Sequence, residues 1–205
     1  MGWLARTMIG LAGAVMAVAA PAQLGGSDGE TFVSKVREGD NSGALALLES
    51  RPNIVNFQDS RGDTALLVAV QRRDSAWTVH LLRAGANANL AARNGDTPLI
   101  AAVRSGFGEG ARWLLQSGAK IDAANKMGET ALIVAVQNRQ LATVKMLLAN
   151  GADPDRTDAA AGYSALDYAR RDTRSPELLA AIEASKRAGI KAPPASDKLD
   201  DFKLN

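Results

Sequence analysis

The sequence predicts an all-α solenoid, because one phrase of nine residues recurs at a constant interval. The phrase reads GDTALLVAV at 62–70, GDTPLIAAV at 95–103 and GETALIVAV at 128–136, so each copy begins 33 residues after the previous one. A fixed period of roughly 20–50 residues is typical of stacked repeat arrays. The chain is therefore expected to fold as a stack of similar units.

Each unit is predicted to contain two helices and a loop. Leu66 and Ala69 stand three residues apart in the phrase, which places both on one face of a helix. A leucine pair follows at 81–82, and Gly85 behind it can adopt the left-handed conformation that ends a second helix. Two such short helices cannot bury their apolar faces alone, so neighbouring units must stack. The glycines that begin the units divide the chain at 29–61, 62–94, 95–127, 128–161 and 162–187.

The phrase, the leucine pair and the Gly-Ala that follows the pair resemble the ankyrin repeat. The resemblance implies an ankyrin-repeat solenoid of about five repeats including caps, with finger loops along one side. It also implies a concave face, lined by the fingers and first helices, that binds protein partners without catalysis. The histidine of the family pattern is replaced by Leu67, Ile100, Ile133 and Asp167. Because that histidine ties neighbouring loops in the family, looser loops are expected here.

Residues 1–22 are predicted to be a signal peptide. Arg6 precedes an apolar run of about a dozen residues, and small residues stand before the expected cleavage between Ala22 and Gln23. The run is shorter than the roughly 20 residues that span a bilayer, so no membrane insertion is expected after cleavage. The resemblance to exported bacterial ankyrin-repeat proteins favours the periplasm. Secretion, or tethering to the inner membrane by an uncleaved signal, are the alternatives.

Short segments flank the expected repeat domain at 29–187. Residues 23–28 are predicted to form a linker. Residues 188–205 contain Pro193-Pro194, several charges and few large apolar residues, so they are predicted to be a disordered C-terminal tail. The chain has no cysteine and therefore cannot form a disulfide.

The charge balance argues against a polyanionic partner. The formal net charge is +2, and it falls to +1 when the predicted signal peptide is removed with its one arginine. So small a charge gives no general attraction to nucleic acid or to an anionic membrane. The expected partner is a protein, bound by a monomer that uses no cofactor and no metal.

A partner-binding surface is predicted from columns of polar residues at the repeat spacing. An acid follows the first glycine of each inner unit, where it also stabilises a helix N-terminus. Basic residues precede these glycines, and further polar residues end the first helices. Rows of mixed charge at a fixed spacing suit an extended protein surface. The predicted residues are Arg61, Asp63, Arg72, Arg93, Asp96, Arg104, Lys126, Met127, Glu129, Gln137, Asn138 and Tyr163.

Three neighbouring carboxylates suggest another class of function. Asp153, Asp155 and Asp158 stand within six residues and could attract calcium. The EF-hand pattern fails, because Asp158 takes the place of the turn glycine and Ser164 that of the bidentate glutamate. A metal-binding or enzymatic protein that uses these carboxylates or the acidic column is one alternative, and a membrane-tethered structural spacer is another.

Two further positions are interpreted as structural. His80 is the only histidine, and Trp113 and Met146 take its place in later units, so it is expected to pack at a seam between units. Gly110 falls within a predicted second helix, where glycine costs about 1 kcal/mol relative to alanine. The third unit is therefore expected to be the weakest part of the array.

The predicted cleavage is tested by the intact mass of the protein recovered from cells that export it. A mature N-terminus at Gln23 is the expected result, because small residues end at Ala22. A mass that retains residues 1–22 would instead identify this segment as a membrane tether.

Overall fold

The structure, a computed structural model, describes residues 26–189. The predicted signal peptide, the first half of the predicted linker and nearly all of the predicted tail lie outside the described residues. Within the described range, no helix is long and apolar enough to cross a membrane. The helices are α1 (Gly26–Glu38), α2 (Asn41–Ser50), α3 (Ala65–Gln71), α4 (Ser75–Arg83), α5 (Pro98–Arg104), α6 (Gly108–Gln116), α7 (Ala131–Gln137), α8 (Leu141–Ala149), α9 (Ala165–Arg171) and α10 (Pro176–Ala188), with a 3₁₀ helix at Pro52–Asn56.

The helices pair unit by unit and stack in two layers. The first helices α1, α3, α5, α7 and α9 pack on one another in chain order, and α4, α6, α8 and α10 form the second layer. This arrangement confirms the predicted all-α repeat solenoid. Helix α1 begins at Gly26, inside the segment 23–28 that was interpreted as a linker, and α10 ends where Gly189 adopts a φ of 59°.

The threonine of the repeated phrase begins the first helices α3, α5 and α7. Thr64 Oγ1 accepts a hydrogen bond from the backbone N–H of Leu67 at 3.1 Å. Thr97 and Thr130 make the equivalent bond at 3.3 Å, and Ser164 takes the same role in the last unit through a reciprocal capping box. Such an N-cap contributes about 1 kcal/mol. The phrase recurs because each of the three units that contain it must start a helix at the same place.

The first helices are buried along most of their length. Residues 65–70 of α3 are at most 3% exposed, and α5 and α7 are buried in the same way. Leu67, Ile100 and Ile133, which replace the histidine of the family pattern, are fully buried. Apolar packing therefore takes the place of the hydrogen bonds that the histidine would make.

A column of amide and carboxylate side chains ties the loops that follow the second helices. Asn56 donates to the carbonyl oxygen of Gly85 at 3.2 Å and accepts from a backbone N–H of the same loop at 2.7 Å. Asn89 bonds the next loop in the same way at 3.0 and 2.8 Å, and Asp122 accepts from the loop after that at 3.0 Å. The expectation of looser loops is not met, because these side chains bridge successive units.

The column of His80, Trp113 and Met146 packs differently from unit to unit. His80 is exposed, with its ring edge-on to Trp77 and 5.4 Å between the ring centroids. Trp113 is buried and lies edge-on to Phe107 at 5.7 Å, whereas Met146 is half-buried. The predicted packed position is correct for Trp113 and wrong for His80, because the imidazole lies at the solvent-exposed edge of α4.

Gly110 is required by packing and is not simply a defect in α6. It is buried, and a Cβ atom added there would lie 2.2 Å from the ring of Phe107. Phe107 is 6% exposed and is held in place by Trp113. The cost of a helical glycine is therefore accompanied by the packing of a ring on its bare backbone, a contact that the sequence interpretation of a weak third unit did not include.

Replacing Gly110 by alanine is expected to destabilise the protein by about 1–3 kcal/mol, because the new methyl group overpacks the site beneath Phe107. Gly108→Ala is the matched control in the same helix, since its nearest neighbour, Thr143 Oγ1, lies 3.8 Å from the added Cβ. The control should stabilise the helix by up to about 1 kcal/mol. Urea denaturation measures both, and a stabilised Gly110→Ala protein would contradict the packing argument.

Candidate functional site

Finger loops join the second helix of one unit to the first helix of the next. Their glycines have positive φ angles, 81° at Gly62, 85° at Gly95 and 78° at Gly128. A Cβ atom at Gly95 or Gly128 would lie 2.6 or 2.5 Å from the backbone nitrogen of Lys126 or Ala159 in the next loop. Each loop therefore stacks directly on its neighbour. The four finger loops are residues 57–64, 90–97, 123–130 and 156–164.

Three side chains organise these loops from the inside. An oxygen of Asp59 accepts from two backbone N–H groups of its own loop at 2.9 and 2.8 Å, and Asn125 does the same at 2.9 and 3.0 Å. Asp158 accepts two such bonds at 2.7 and 3.0 Å. Sequence-based prediction missed this role, although Asp59 and Asn125 each stand three residues before a unit glycine. Ala92 interrupts the column in the second loop.

Two of the predicted binding acids are buried in a charged cluster. Asp96 and Glu129 are only 6% and 8% exposed. Arg104 donates to Asp96 at 3.2 and 3.3 Å and to Glu129 at 3.0 Å. Asn125 donates to the same two carboxylates at 2.8 and 2.9 Å. The cluster joins two neighbouring finger loops, and it leaves little of either predicted binding acid exposed to a partner.

A second cluster surrounds Arg37, whose role sequence-based prediction also missed. Its guanidinium donates to Asp59 at 2.7 Å and to Asp63 at 3.1 Å, and the two acidic side chains are 3% and 20% exposed. Burial raises the pKa of Asp59, but hydrogen bonds from Arg37 and from backbone N–H groups outweigh it and hold the pKa below its ordinary value of 3.8. Asp63 is therefore drawn into an internal ion pair rather than left open to a partner.

The other predicted residues on the first three finger loops form an exposed row, which we call the fingertip row: Arg61, Arg93, Lys126 and Met127. The three basic residues recur at the spacing of the units, so they occupy equivalent places on successive loops. Met127 is 54% exposed, and Leu45 on α2 is the other large apolar side chain left exposed between residues 26 and 189. The row thus combines cationic groups with one apolar contact point.

Further predicted residues lie behind the fingertip row, at the ends of first helices. Arg72, Gln137 and Asn138 are exposed there. Arg72 donates to a backbone oxygen at the end of α1, and Arg93 of the fingertip row donates to the carbonyl oxygen of Ser60 at 2.6 Å. The backbone contacts fix the direction of both arginines along the array.

Tyr163 takes the place of the acid in the last unit and is half-buried. Its ring lies edge-on to Tyr168 at 5.6 Å, and the guanidinium of Arg171 lies over it at 4.5 Å. The Tyr168 hydroxyl donates to Asp158 at 2.5 Å, which raises the pKa of Tyr168. Tyr163 is therefore part of a packed aromatic cluster rather than an open apolar contact.

The carboxylates of Asp153, Asp155 and Asp158 do not converge on one point. Asp153 accepts from the backbone N–H of Asp155 at 2.9 Å, Asp155 pairs with Lys186 at 2.7 Å, and Asp158 is buried in its loop. In the described part of the chain, no three His, Asp or Glu side chains are grouped so as to hold a metal ion. The calcium interpretation therefore has no geometric support from these residues.

Replacing Arg37 by glutamine is expected to destabilise the protein by about 1–2 kcal/mol near neutral pH, because the buried Asp59 loses its charged partner. Folding lowers the pKa of Asp59 from its ordinary value of 3.8. The ion pair therefore stabilises the folded protein at pH values above 3.8, and this stabilisation is lost as the pH falls through the pKa of the folded state. The deficit should therefore shrink between neutral pH and about pH 3. Thermal unfolding measures this against Arg112→Gln, an exposed control on α6, and a deficit that persists in acid would contradict the assignment.

The family model of ankyrin repeats, in three copies, matches residues 32–125 and, in an overlapping match, residues 75–158. Together the matches span 32–158, which is more than half of the 205-residue chain. No curated protein is significantly similar to the chain. The matched span covers most of α1, the helices α2 to α8 and the first three finger loops, and the chain therefore belongs to the ankyrin repeat family.

Proposed function

We propose that the protein is a non-catalytic protein-binding module whose fingertip row contacts a protein partner. Ankyrin repeats suggest a protein–protein interaction module and are generally non-catalytic. The observation that carries the proposal is Met127, which is 54% exposed at a fingertip, beside Lys126 and in line with Arg93 and Arg61. Methionine and arginine are enriched at protein interfaces, and flexible methionine adapts to irregular apolar pockets.

The charge of the row favours a partner surface with acidic groups around an apolar recess. The buried acids Asp96 and Glu129 are already paired with Arg104, so they do not neutralise Arg61, Arg93 or Lys126 at the tips. Complementary charge steers association and fixes the register of the two surfaces. The small net charge of +2 over the whole chain keeps this attraction local.

The loops that carry the row are ordered before any partner arrives. Asp59 and Asn125 hold two of the loops from inside, and the Arg104 cluster links one loop to the next. A preformed surface loses less conformational entropy on binding than a flexible one. The ion pairs therefore support binding indirectly, by fixing the positions of the exposed side chains.

The proposed location is the bacterial cell envelope, with the periplasm as the compartment. The support is the pattern of residues 1–22, a basic residue followed by an apolar run and small residues. We expect the mature protein to act there as a monomer that binds an envelope protein. In this setting the finger face is free to dock on the partner while the second-helix layer faces away.

The partner is identified by crosslinking from a single introduced cysteine. Because the chain has no cysteine of its own, Met127→Cys carries the only thiol and directs a photoactivated crosslinker to the fingertip row. Leu45→Cys is the matched control, an exposed apolar position on α2, the second helix of the first unit. One defined adduct from position 127 and none from position 45 is the expected result. Equal labelling of the same protein from both positions would contradict the assignment.

Reversing the charge of the fingertip row should weaken binding to that partner. The variant Arg61→Glu, Arg93→Glu, Lys126→Glu is expected to lower the affinity at least tenfold, roughly 1.4 kcal/mol. Arg104 is left unchanged because its charge holds Asp96 and Glu129. The measurement is the dissociation constant for the crosslinked partner.

A matched variant separates this effect from a general change of charge. Arg112→Glu, Lys120→Glu, Lys145→Glu also reverses three positive charges, at exposed positions on or beside the second helices. Both triple variants should keep their helical circular dichroism, since surface changes typically alter stability by about 0.5 kcal/mol or less each. The proposal fails if the fingertip variant folds and binds as tightly as the control.

A further inference from the structure

An open groove of about 300 Å³ lies at the C-terminal ends of α7 and α9. Arginines from two units line it, with one acid among them. The groove lies apart from the fingertip row, at the C-terminal half of the array. The lining residues that matter here are Gln137, Arg139, Tyr168, Arg171, Asp172 and Arg174.

Arg171 is the counterpart of Arg104 in the last unit, but it is not held between two carboxylates, and Asp167, one turn earlier on α9, acts on it only through space. Both arginines stand nine residues after the glycine that begins their unit. Arg104 is held between Asp96 and Glu129. The last unit has Tyr163 at the position that corresponds to Asp96. Arg171 stacks over the Tyr163 ring at 4.5 Å, and no ion pair within residues 26–189 involves it. Stacking orients the guanidinium and leaves its donor edge open.

The other two arginines of the groove share one carboxylate. Arg139 bonds Asp172 at 2.6 and 3.4 Å, and Arg174 lies 3.6 Å from the same side chain. Three guanidinium groups and one carboxylate give the groove a net charge of +2. The ion pair holds Arg139 against the end of α9, whereas the side chain of Arg174 is 75% exposed.

The remaining wall is rigid and presents a neutral polar group. Tyr168 packs edge-on against Tyr163, and its hydroxyl is occupied by Asp158 at 2.5 Å. Gln137 is exposed at the end of α7 and can donate or accept a hydrogen bond. The groove therefore offers planar cationic donors, a polar amide and an aromatic side wall.

We propose that this groove binds an extended acidic segment of the protein partner, with a glutamate or aspartate carboxylate held by Arg171 and a second one near Arg174. This inference rests on the proposed protein-binding function and adds a second contact region to the fingertip row. A guanidinium held flat by an aromatic ring donates two parallel hydrogen bonds to a carboxylate, which makes the contact directional. Spaced arginines along an open groove suit side chains carried on an extended chain.

The test uses the mature protein and a fluorescein-labelled peptide of alternating glutamate and serine, followed by fluorescence anisotropy at low salt. Saturable binding that weakens as salt is added is the expected result for the unsubstituted protein. The double variant Arg171→Gln, Arg174→Gln should lower the affinity at least fivefold, because it removes two of the three cations that line the groove. Arg112→Gln, Lys145→Gln removes two exposed cations from the second-helix layer and should leave the affinity unchanged.

A third variant should strengthen binding, which damage to the fold would not do. Asp172→Asn removes the only acid among the lining residues named above. Asp172 accepts a hydrogen bond from the backbone N–H of Arg174 at 3.1 Å, and the amide oxygen of asparagine can accept the same bond. The acidic peptide should then bind about twofold to threefold more tightly. A control peptide of alternating lysine and serine should not bind to any of these proteins.

The outcomes separate this inference from the proposed function. If the acidic peptide does not bind, or binds equally to the double variant, the groove is not a site for an acidic segment. That result would not affect the crosslinking experiment from position 127, which tests the fingertip row by itself. Competition by inorganic phosphate at equal concentration would also overturn the inference, since it would show an anion site with no preference for a peptide.

Discussion

Successive finger loops lie so close that their backbones are in contact, and glycine at positions 62, 95 and 128 is the constraint that permits it. The backbone N–H of Lys126 donates to the oxygen of Asn94 at 3.2 Å, and that of Ala159 to the oxygen of Met127 at 2.8 Å. A side chain at Gly95 would lie 2.6 Å from the first of these donors. It would push the loops apart and separate charged groups that now meet across them. The positions of the buried acids and of the fingertip row both depend on this approach.

Sequence predicted the features that every unit must repeat for a local physical reason. The threonine that caps a first helix, the leucines and alanines on its buried face, and the glycine with positive φ are needed at the same place in each unit. Residues that meet these requirements recur at a constant spacing in the sequence, as Thr64, Thr97 and Thr130 do. The fold and the unit boundaries could be inferred from these columns because they depend on short stretches of chain.

The candidate site was predicted less well, because a charged residue does not reveal its burial. The acids at 96 and 129 look like exposed surface groups in sequence, yet they pair with Arg104 inside the stack. Arg37 and Arg104 play similar roles but stand 67 residues apart, one more than two periods, which hides the equivalence. Gly110 looks like a weak point until the ring that packs on it is seen. Contacts of this kind form between residues that are distant in sequence or unique to one unit.

The boundaries between units are held by different kinds of bond. Ion pairs of Arg37, Arg104 and Arg139 cross the first, third and fourth boundaries. Between units 62–94 and 95–127 the described residues form no ion pair, and neutral bonds from Asn89 to the next loop hold that boundary. If each unit interacts only with its neighbours, added salt weakens the ion pairs at the first, third and fourth boundaries and leaves the second boundary unchanged. Salt therefore changes where the array opens first as well as how stable it is.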